Sequence, residues 1–455
     1  MKHRAWARRT FVLLLCAGSA HATNGYFTAG IGVKNIGLAG AGSADPREVM
    51  IVATNPAGLA YVGQRIELGL SLFNPDRSYN TSPSLANGQG GAFTIGPGSL
   101  TSAHKWFEIP YVALSRRLDP QDSLAVAFYG RGGMNTTWYG GSATFDPDGP
   151  GPAPVMRLPG TFGTGTAGVD LMQGFLSLSF AHAMLDHRLS VGASLIFAAQ
   201  RFEARGLGAF AGYTETFAAS GGKVLPSDLS NNGHQMSYGG GAALGIEWRP
   251  VPQWAFAAAY TSKMHMSRFT HYADLFAGHG SFDIPATATV GATFKPVKPL
   301  AISFDAQRIW YAAISSVGNP IQNIFRCPTA GAGGTDLQSC LGGSRGPGFG
   351  WRNMTIYKFG ERWRIDPTWT VRLGVSHTVQ PIPASQMTFN ILAPGVVENH
   401  FTVGLSRHDA HHEFNLALVY APNQTVRGPN TFDPTQTITL RMHQFEVDFG
   451  YSWDE

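Results

Sequence analysis

Arg65-Ile66-Glu67-Leu68-Gly69-Leu70-Ser71-Leu72-Phe73 decides the fold class. Ile66, Leu68, Leu70 and Leu72 alternate with Arg65, Glu67, Gly69 and Ser71. Successive side chains of a strand point to opposite faces, so this stretch has one apolar face and one small or polar face. The pattern recurs: Leu124, Val126 and Phe128; Leu176, Leu178 and Phe180; Leu189 to Phe197; Leu244, Ile246 and Trp248; Phe401, Val403 and Leu405. Opposite these lie mostly Gly, Ala, Ser and Thr, with few of the Lys and Glu that a water-facing sheet carries. Small residues suit a crowded lumen, and the apolar face then meets lipid. The expected class is therefore all-β, a transmembrane antiparallel β-barrel. A soluble all-β secreted protein, its apolar faces turned inward, is the alternative.

About fourteen such segments run along the chain, over 64–79, 104–117, 123–139, 171–185, 188–205, 237–249, 253–268, 281–295, 300–311, 350–363, 368–378, 400–407, 413–420 and 441–453. The connections alternate in length. Those at 118–122, 186–187, 250–252, 296–299, 364–367 and 408–412 are short; those at 80–103, 140–170, 206–236, 312–349, 379–399 and 421–440 are long. Outer-membrane barrels have an even strand number, short periplasmic turns and long extracellular loops, whereas a sandwich has no reason to sort its loops. Trp138, Trp248, Trp254, Trp310 and Trp363 lie toward segment ends, as interfacial girdles require. The last segment alternates Phe445, Val447, Phe449, Tyr451 and Trp453 with polar residues. It resembles the signature read by the barrel assembly machinery, a partner in biogenesis, although Asp454 and Glu455 follow it.

The N-terminus explains the apparent basicity. Lys2, Arg4, Arg8 and Arg9, then Phe11 to Ala17, then Ala20-His21-Ala22 form a secretory signal peptide over 1–22. Its removal takes four basic residues from 33 and no acidic one, leaving 29 Lys+Arg against 29 Asp+Glu. Nucleic acid is thus not an implied partner. Charged residues make up 14% of the chain, against ~25% in globular proteins. No apolar run after residue 22 approaches the ~20 residues of a membrane helix. Cys327 and Cys340 remain after Cys16 leaves; export to an oxidising compartment makes a loop-stapling disulfide the expected reading.

Residues 23–63 do not alternate. They are Gly-rich, apolar and nearly uncharged, with short helical candidates such as Pro46 to Thr54. A plug inside the lumen of the barrel at 64–455 suits that composition; a disordered periplasmic tail, usually more polar, is the alternative. Thr23-Asn24-Gly25-Tyr26-Phe27, Gly37-Leu38-Ala39-Gly40-Ala41-Gly42 and Asn55-Pro56-Ala57-Gly58-Leu59 resemble the hatch of the FadL/TodX outer-membrane transport family. Gly130 to Thr136, Gly165 to Gln173 with Gln200-Arg201-Phe202-Glu203, and Asn390 to Gly395 are similar to the family too. The likeness covers essentially the whole mature chain. It implies a fourteen-stranded barrel closed by an N-terminal hatch that takes up long-chain fatty acids or aromatic hydrocarbons. It also implies capture in an apolar groove among extracellular loops, passage to a pocket by the hatch N-terminus, and exit through a gap made by a kinked third strand.

Each candidate site has a bland reading beside the functional one. Phe202, Phe210, Phe217, Phe269, Tyr272 and Phe276 lie on or beside two long loops; they form a capture surface or pack the loops together. Gly132 and Gly133, with Met134 and Asn135, mark either a lateral opening or a barrel bend. Asn55-Pro56-Ala57 is set against the third-strand opening, or merely ends a helix. Tyr26 and Phe27 would line the inner pocket. Arg131 is the candidate cation for a substrate carboxylate. His408, His411 and His412 fall in a short turn and read as solvated rather than metal-binding. No motif implies a cofactor, a metal or an enzyme. The expected partners are a hydrophobic small molecule and outer-membrane lipid with lipopolysaccharide, and the expected state is a monomer. An aqueous porin, or a lipid hydrolase of the outer membrane, is the competing function.

Overall fold

The computed structural model describes residues 23–146 and 154–454; the signal peptide expected at 1–22 lies outside them. Among the described residues, fourteen strands form the wall. They are β1 (Arg65–Thr81), β2 (Phe107–Arg117), β3 (Asp122–Trp138), β4 (Ala167–Met184), β5 (Leu189–Arg205), β6 (Gln235–Val251) and β7 (Trp254–Thr261). The others are β8 (Thr287–Val297), β9 (Leu300–Ile309), β10 (Met354–Arg364), β11 (Trp369–Thr378), β12 (Asn399–Asp409), β13 (His412–Asn430) and β14 (Asp433–Asp454). Each pairs antiparallel with its sequence neighbours, and β14 returns to β1 with Asp454 opposite Arg65. Closure gives every strand a neighbour on both sides, as lipid demands, although the outer part of β3 beyond Tyr129 is not paired with β2. No described helix is long and apolar enough to cross a membrane.

The side chains are turned inside out relative to a soluble protein. Leu68 and Leu70 on β1, Leu178 and Phe180 on β4, Leu195 and Phe197 on β5, and Leu373 and Val375 on β11 are exposed. Ser71, Ser177, Ser179, Ser194 and Ser376, one step away in register, are buried. On β6, exposed Tyr238 and Trp248 flank Leu244 and Ile246. Their ten-residue separation at ~3.3 Å per residue, tilted about 40°, spans a band of ~25 Å.

Trp248, Trp254 and Trp363 lie exposed beside short turns, as a girdle requires. Trp138 does not: it is fully buried, and its indole N–H donates to the Ile391 carbonyl at 3.1 Å. The outer end of β3 is covered by loops, so this tryptophan meets protein instead of lipid. Trp310 is partly buried. The stretch 421–440 is also a correction. It is not a loop but the far end of the β13–β14 hairpin, which turns between Asn430 and Asp433. Beyond a bulge at Ala421 to Gln424 the hairpin rises out of the membrane, where neither face needs apolar residues, so alternation fades. The outer loops carry a small sheet of their own (Phe93–Ile95, Ser142–Phe145, Met156–Pro159) and the Cys327–Cys340 disulfide.

Residues 23–61 touch strands around the whole circumference of the barrel. The Thr23 N–H donates to Gln444 on β14 at 2.9 Å, and the Lys34 ammonium pairs with Glu413 on β13. The Ser43 N–H donates to Asp305 on β9 at 2.9 Å. Asp45 meets Arg362 on β10 at 2.9 Å and Lys295 on β8 at 3.1 Å. The Val49 N–H donates to Glu67 on β1 at 2.7 Å. Buried pairs of this kind add little net stability, but removing one partner leaves an uncompensated charge, so they specify seating. Locally the segment is built of short turns: α1 (Val33–Ile36) and 3-10 turns at Val49–Ala53 and Pro56–Tyr61. The Asn55 side chain accepts from the Ala57 N–H at 3.2 Å, with Pro56 in the first turn. Asn55-Pro56 therefore starts a helical turn rather than ending one.

Candidate substrate path

The wall is interrupted at β3. β3 pairs with β4 along its length, but Gly132 stands opposite Gln173 and Gly130 opposite Gly174, so Arg131 is the extra residue of a β-bulge. On its other side β3 pairs with β2 only from Ser123 to Tyr129. The next bonds on that side lie at Thr137, whose carbonyl accepts from the Ala103 N–H at 2.9 Å and whose N–H donates to the Ser102 hydroxyl at 3.0 Å. Between them the N-terminal segment fills in. Phe27 stands opposite Gly132, and the Gly133 N–H donates to the Tyr26 carbonyl at 3.0 Å. A Cβ at position 132 would clash with Gln173 Oε1 and lie 3.2 Å from the Phe27 ring, so glycine eases the approach of both. The Arg77 guanidinium donates to the Asn135 and His104 carbonyls across the same stretch.

Two cavities lead here. The outer one, about 40 Å³, lies among the loops and is lined by Val169, Phe202, Leu207, Phe210, Phe276 and Phe389 among others. The inner one, about 30 Å³, lies between Thr23–Gly25, Gly133–Thr136 on β3, Trp351 and Leu392–Gly395. A chain of aromatic contacts joins them. Ring centroids lie 4.7 Å apart for Phe202–Phe276, 4.9 Å for Phe276–Phe282, 6.2 Å for Phe282–Tyr26 and 5.8 Å for Tyr26–Trp351, which lines the inner cavity, and Tyr26 also meets Phe27 at 5.1 Å.

Polar groups are sparse along this chain. The Arg131 guanidinium is buried 4.7 Å over the Phe27 ring and donates to the Thr287 hydroxyl at 3.2 Å. Among the described residues no carboxylate forms an ion pair with it. The Tyr26 hydroxyl and Gln173 Oε1 face each other, both buried, without reaching hydrogen-bond geometry.

The structure thus brings together Tyr26, Phe27, Arg131, Gly132, Gly133, Met134 and Asn135. Phe202, Phe269 and Phe276 pack together with Tyr272, and Phe210 packs on Phe93, Phe162, Phe389 and Phe432; all are buried rather than displayed on a surface, and Phe217 is only half-buried. Asn55-Pro56-Ala57 is displaced from its expected position. It rests on Gly245 of β6, where a Cβ would lie 2.9 Å from Pro56 Cδ, and on Gly192 of β5, and the Ser190 hydroxyl donates to the Ala57 carbonyl at 3.0 Å. Tyr26-Phe27 holds the place beside β3 instead. Sequence reasoning missed Phe282, Tyr311 and Trp351 as site residues: it set them at the ends of the expected strands 281–295, 300–311 and 350–363, whereas the structure places them in the loops beside β8, β9 and β10. Tyr311 clamps the N-terminus: its hydroxyl donates to the Asn24 carbonyl at 2.6 Å and accepts from the Tyr26 and Phe27 N–H groups at 3.3 and 3.2 Å. The Asn390 to Gly395 stretch was legible only as a family likeness. Its carbonyls at Ile391 and Leu392 accept from Trp138 and Thr136, fixing the loop over β3.

A closed lipid-facing barrel that holds its own N-terminal segment, with apolar cavities running to an interrupted wall, is a membrane transport barrel. Residues 13–421 match the family described as Outer membrane protein transport protein (OMPP1/FadL/TodX), and the chain belongs to that family. It is accordingly an outer-membrane transport protein and not an enzyme. The fold is similar to that of a Pseudomonas aeruginosa FadL homologue, at TM-score 0.61 and 15% identity, covering 94% of this chain and 99% of that one. It is also similar to the P. putida toluene transporter TodX, at TM-score 0.59 and 14% identity over 94% and 99% of the two chains. The Ralstonia pickettii toluene transporter TbuX aligns at TM-score 0.55 and 15% identity over 94% and 98%. No curated protein matches the sequence.

Proposed function

We propose that this protein admits hydrophobic small molecules through the outer membrane passively. They are captured among the loop aromatics, handed along the ring chain to the pocket beside the N-terminal hatch, and released sideways into the bilayer between β2 and β3. The observation that carries this reading is the stretch of β3 from Gly130 to Thr136 that β2 leaves unpaired and Tyr26-Phe27 lies beside, at the end of the aromatic chain. The physical task favours such a route. Apolar solutes gain roughly 25 cal/mol per Å² of buried surface, so a lining of rings can take them from water, and lateral exit returns them to an apolar phase. TodX and TbuX, which share the fold, are toluene transporters. Arg131 would pair with the head of a carboxylate substrate. Cavities of about 40 and 30 Å³ are smaller than the ~150 Å³ that holds a benzene ring, so side chains must swing aside as substrate passes.

The test is uptake of radiolabelled oleate and toluene by a deletion strain carrying the wild type or Gly133→Pro. Proline removes the N–H that holds Tyr26 and stiffens the bulge. Protein-dependent uptake of either compound, lost in the variant, supports lateral release and names the substrate class. If neither compound needs the protein, while sugars or ions leak through it in a planar bilayer, the protein is an aqueous porin.

A further inference from the structure

We propose that a groove on the outside of β9, β10 and β11 binds the phosphorylated headgroup of an outer-leaflet glycolipid. The groove has a volume of about 550 Å³ and is lined by Arg308, Arg352, His377, Tyr357, Val379 and Val426 among others. It lies on the lipid side of the wall. Arg308 shares its face of β9 with exposed Phe304, His377 shares its face of β11 with exposed Val375, and Tyr357 and Phe359 are both exposed on β10. Along each strand the groove residue is the one nearer the long loops. The cations thus stand one step outside the apolar band, at the level where outer-leaflet headgroups begin.

Its charge is one-sided. No carboxylate lines it among the described residues. Glu398, beside it, is occupied by the Gln380 N–H at 3.2 Å and the Gln424 amide at 2.7 Å. Arg308 donates to the Thr355 hydroxyl at 2.5 Å, and Arg352 is exposed. Two guanidiniums without acidic partners suit phosphate, which they bind through paired, charge-assisted hydrogen bonds. The flanking Val379, Ile382, Pro383 and Val426 offer apolar contact that free phosphate could not use. The two together select a phosphate carried on a lipid. In the leaflet facing the long loops, that is the diphosphorylated glucosamine of lipopolysaccharide.

The experiment uses the full-length mature protein in nonionic detergent, read by native mass spectrometry after addition of defined lipids. Wild type is expected to retain diphosphoryl lipid A, and Arg308→Gln/Arg352→Gln to lose it by about tenfold or more. Arg427→Gln, which changes an exposed arginine outside the groove lining, is expected to behave as wild type. Heat-dependent gel mobility verifies that each barrel is folded. Equal retention by a folded double variant overturns the proposal. So does equal binding of dephosphorylated lipid A or phosphatidylethanolamine, and so does displacement by millimolar inorganic phosphate, which would mark a simple anion site.

Discussion

Arg131 is the residue on which substrate chemistry turns. A guanidinium buried against Phe27 is an expensive group in a path for hydrocarbons, and among the described residues a cation–π contact and one hydroxyl support it. A hydrogen bond between charged groups is worth ~1.5–3 kcal/mol, or roughly ten- to a hundredfold in binding. Arg131→Met should therefore cut protein-dependent uptake of oleate by about tenfold or more, while toluene uptake stays within about twofold of wild type. Parallel initial-rate measurements check this. Equal losses for both compounds would mean that Arg131 only supports the bulge. The neighbouring Gly132 was readable as a point of close approach. What approaches it, the Phe27 ring, was not, because 105 positions separate them in a sequence with no pattern linking the two.

At the scale of the element, the N-terminal segment is held by charge as well as by packing. Burial first, then the nearby Glu67 carboxylate, push Glu48 up to about 7, against the Lys34 ammonium and the N–H groups of Lys34 and Asn35. A carboxyl whose folded pKa is raised binds its proton more tightly in the seated segment. Its contribution is present in full below about 4.5 and is lost as pH rises through about 7. Glu48→Gln imitates the protonated form. Amide exchange over residues 33–53 should be slower in the variant than in wild type at about pH 8, with the difference closing near pH 5. A variant that exchanges faster at both would show that the carboxylate is needed to accept the two N–H groups. Strand elements were far more legible than this segment. Each of the fourteen shows alternation where lipid meets one face and lumen the other. The β13–β14 hairpin lost its signal only where it left the bilayer.

The whole molecule divides its labour between a wall of paired strands and residues 23–61, which touch strands around its circumference. Deletion of residues 23–61 should leave the ladder from β1 to β14 intact, since every wall strand pairs with another wall strand. The deleted form should migrate as a folded barrel before boiling and conduct small ions in a planar bilayer, where the complete protein stays nearly closed. A deletion that does not fold would make the segment part of the structural core. Sequence alone determined the class, the strand number and which faces meet lipid. Those follow from a period of two residues, a local property that every strand states for itself. It also marked the special segments, namely the glycine-rich start, the Gly132-Gly133 pair and the loop aromatics. Only the tertiary structure decided how they meet: Phe27 at the bulge, Asn55-Pro56 on β5 and β6 instead of β3, Trp138 under a loop rather than in lipid, and Tyr311 clamping the N-terminus. These contacts join residues far apart in the chain, and no periodicity records which parts of a closed ring will face each other across its interior.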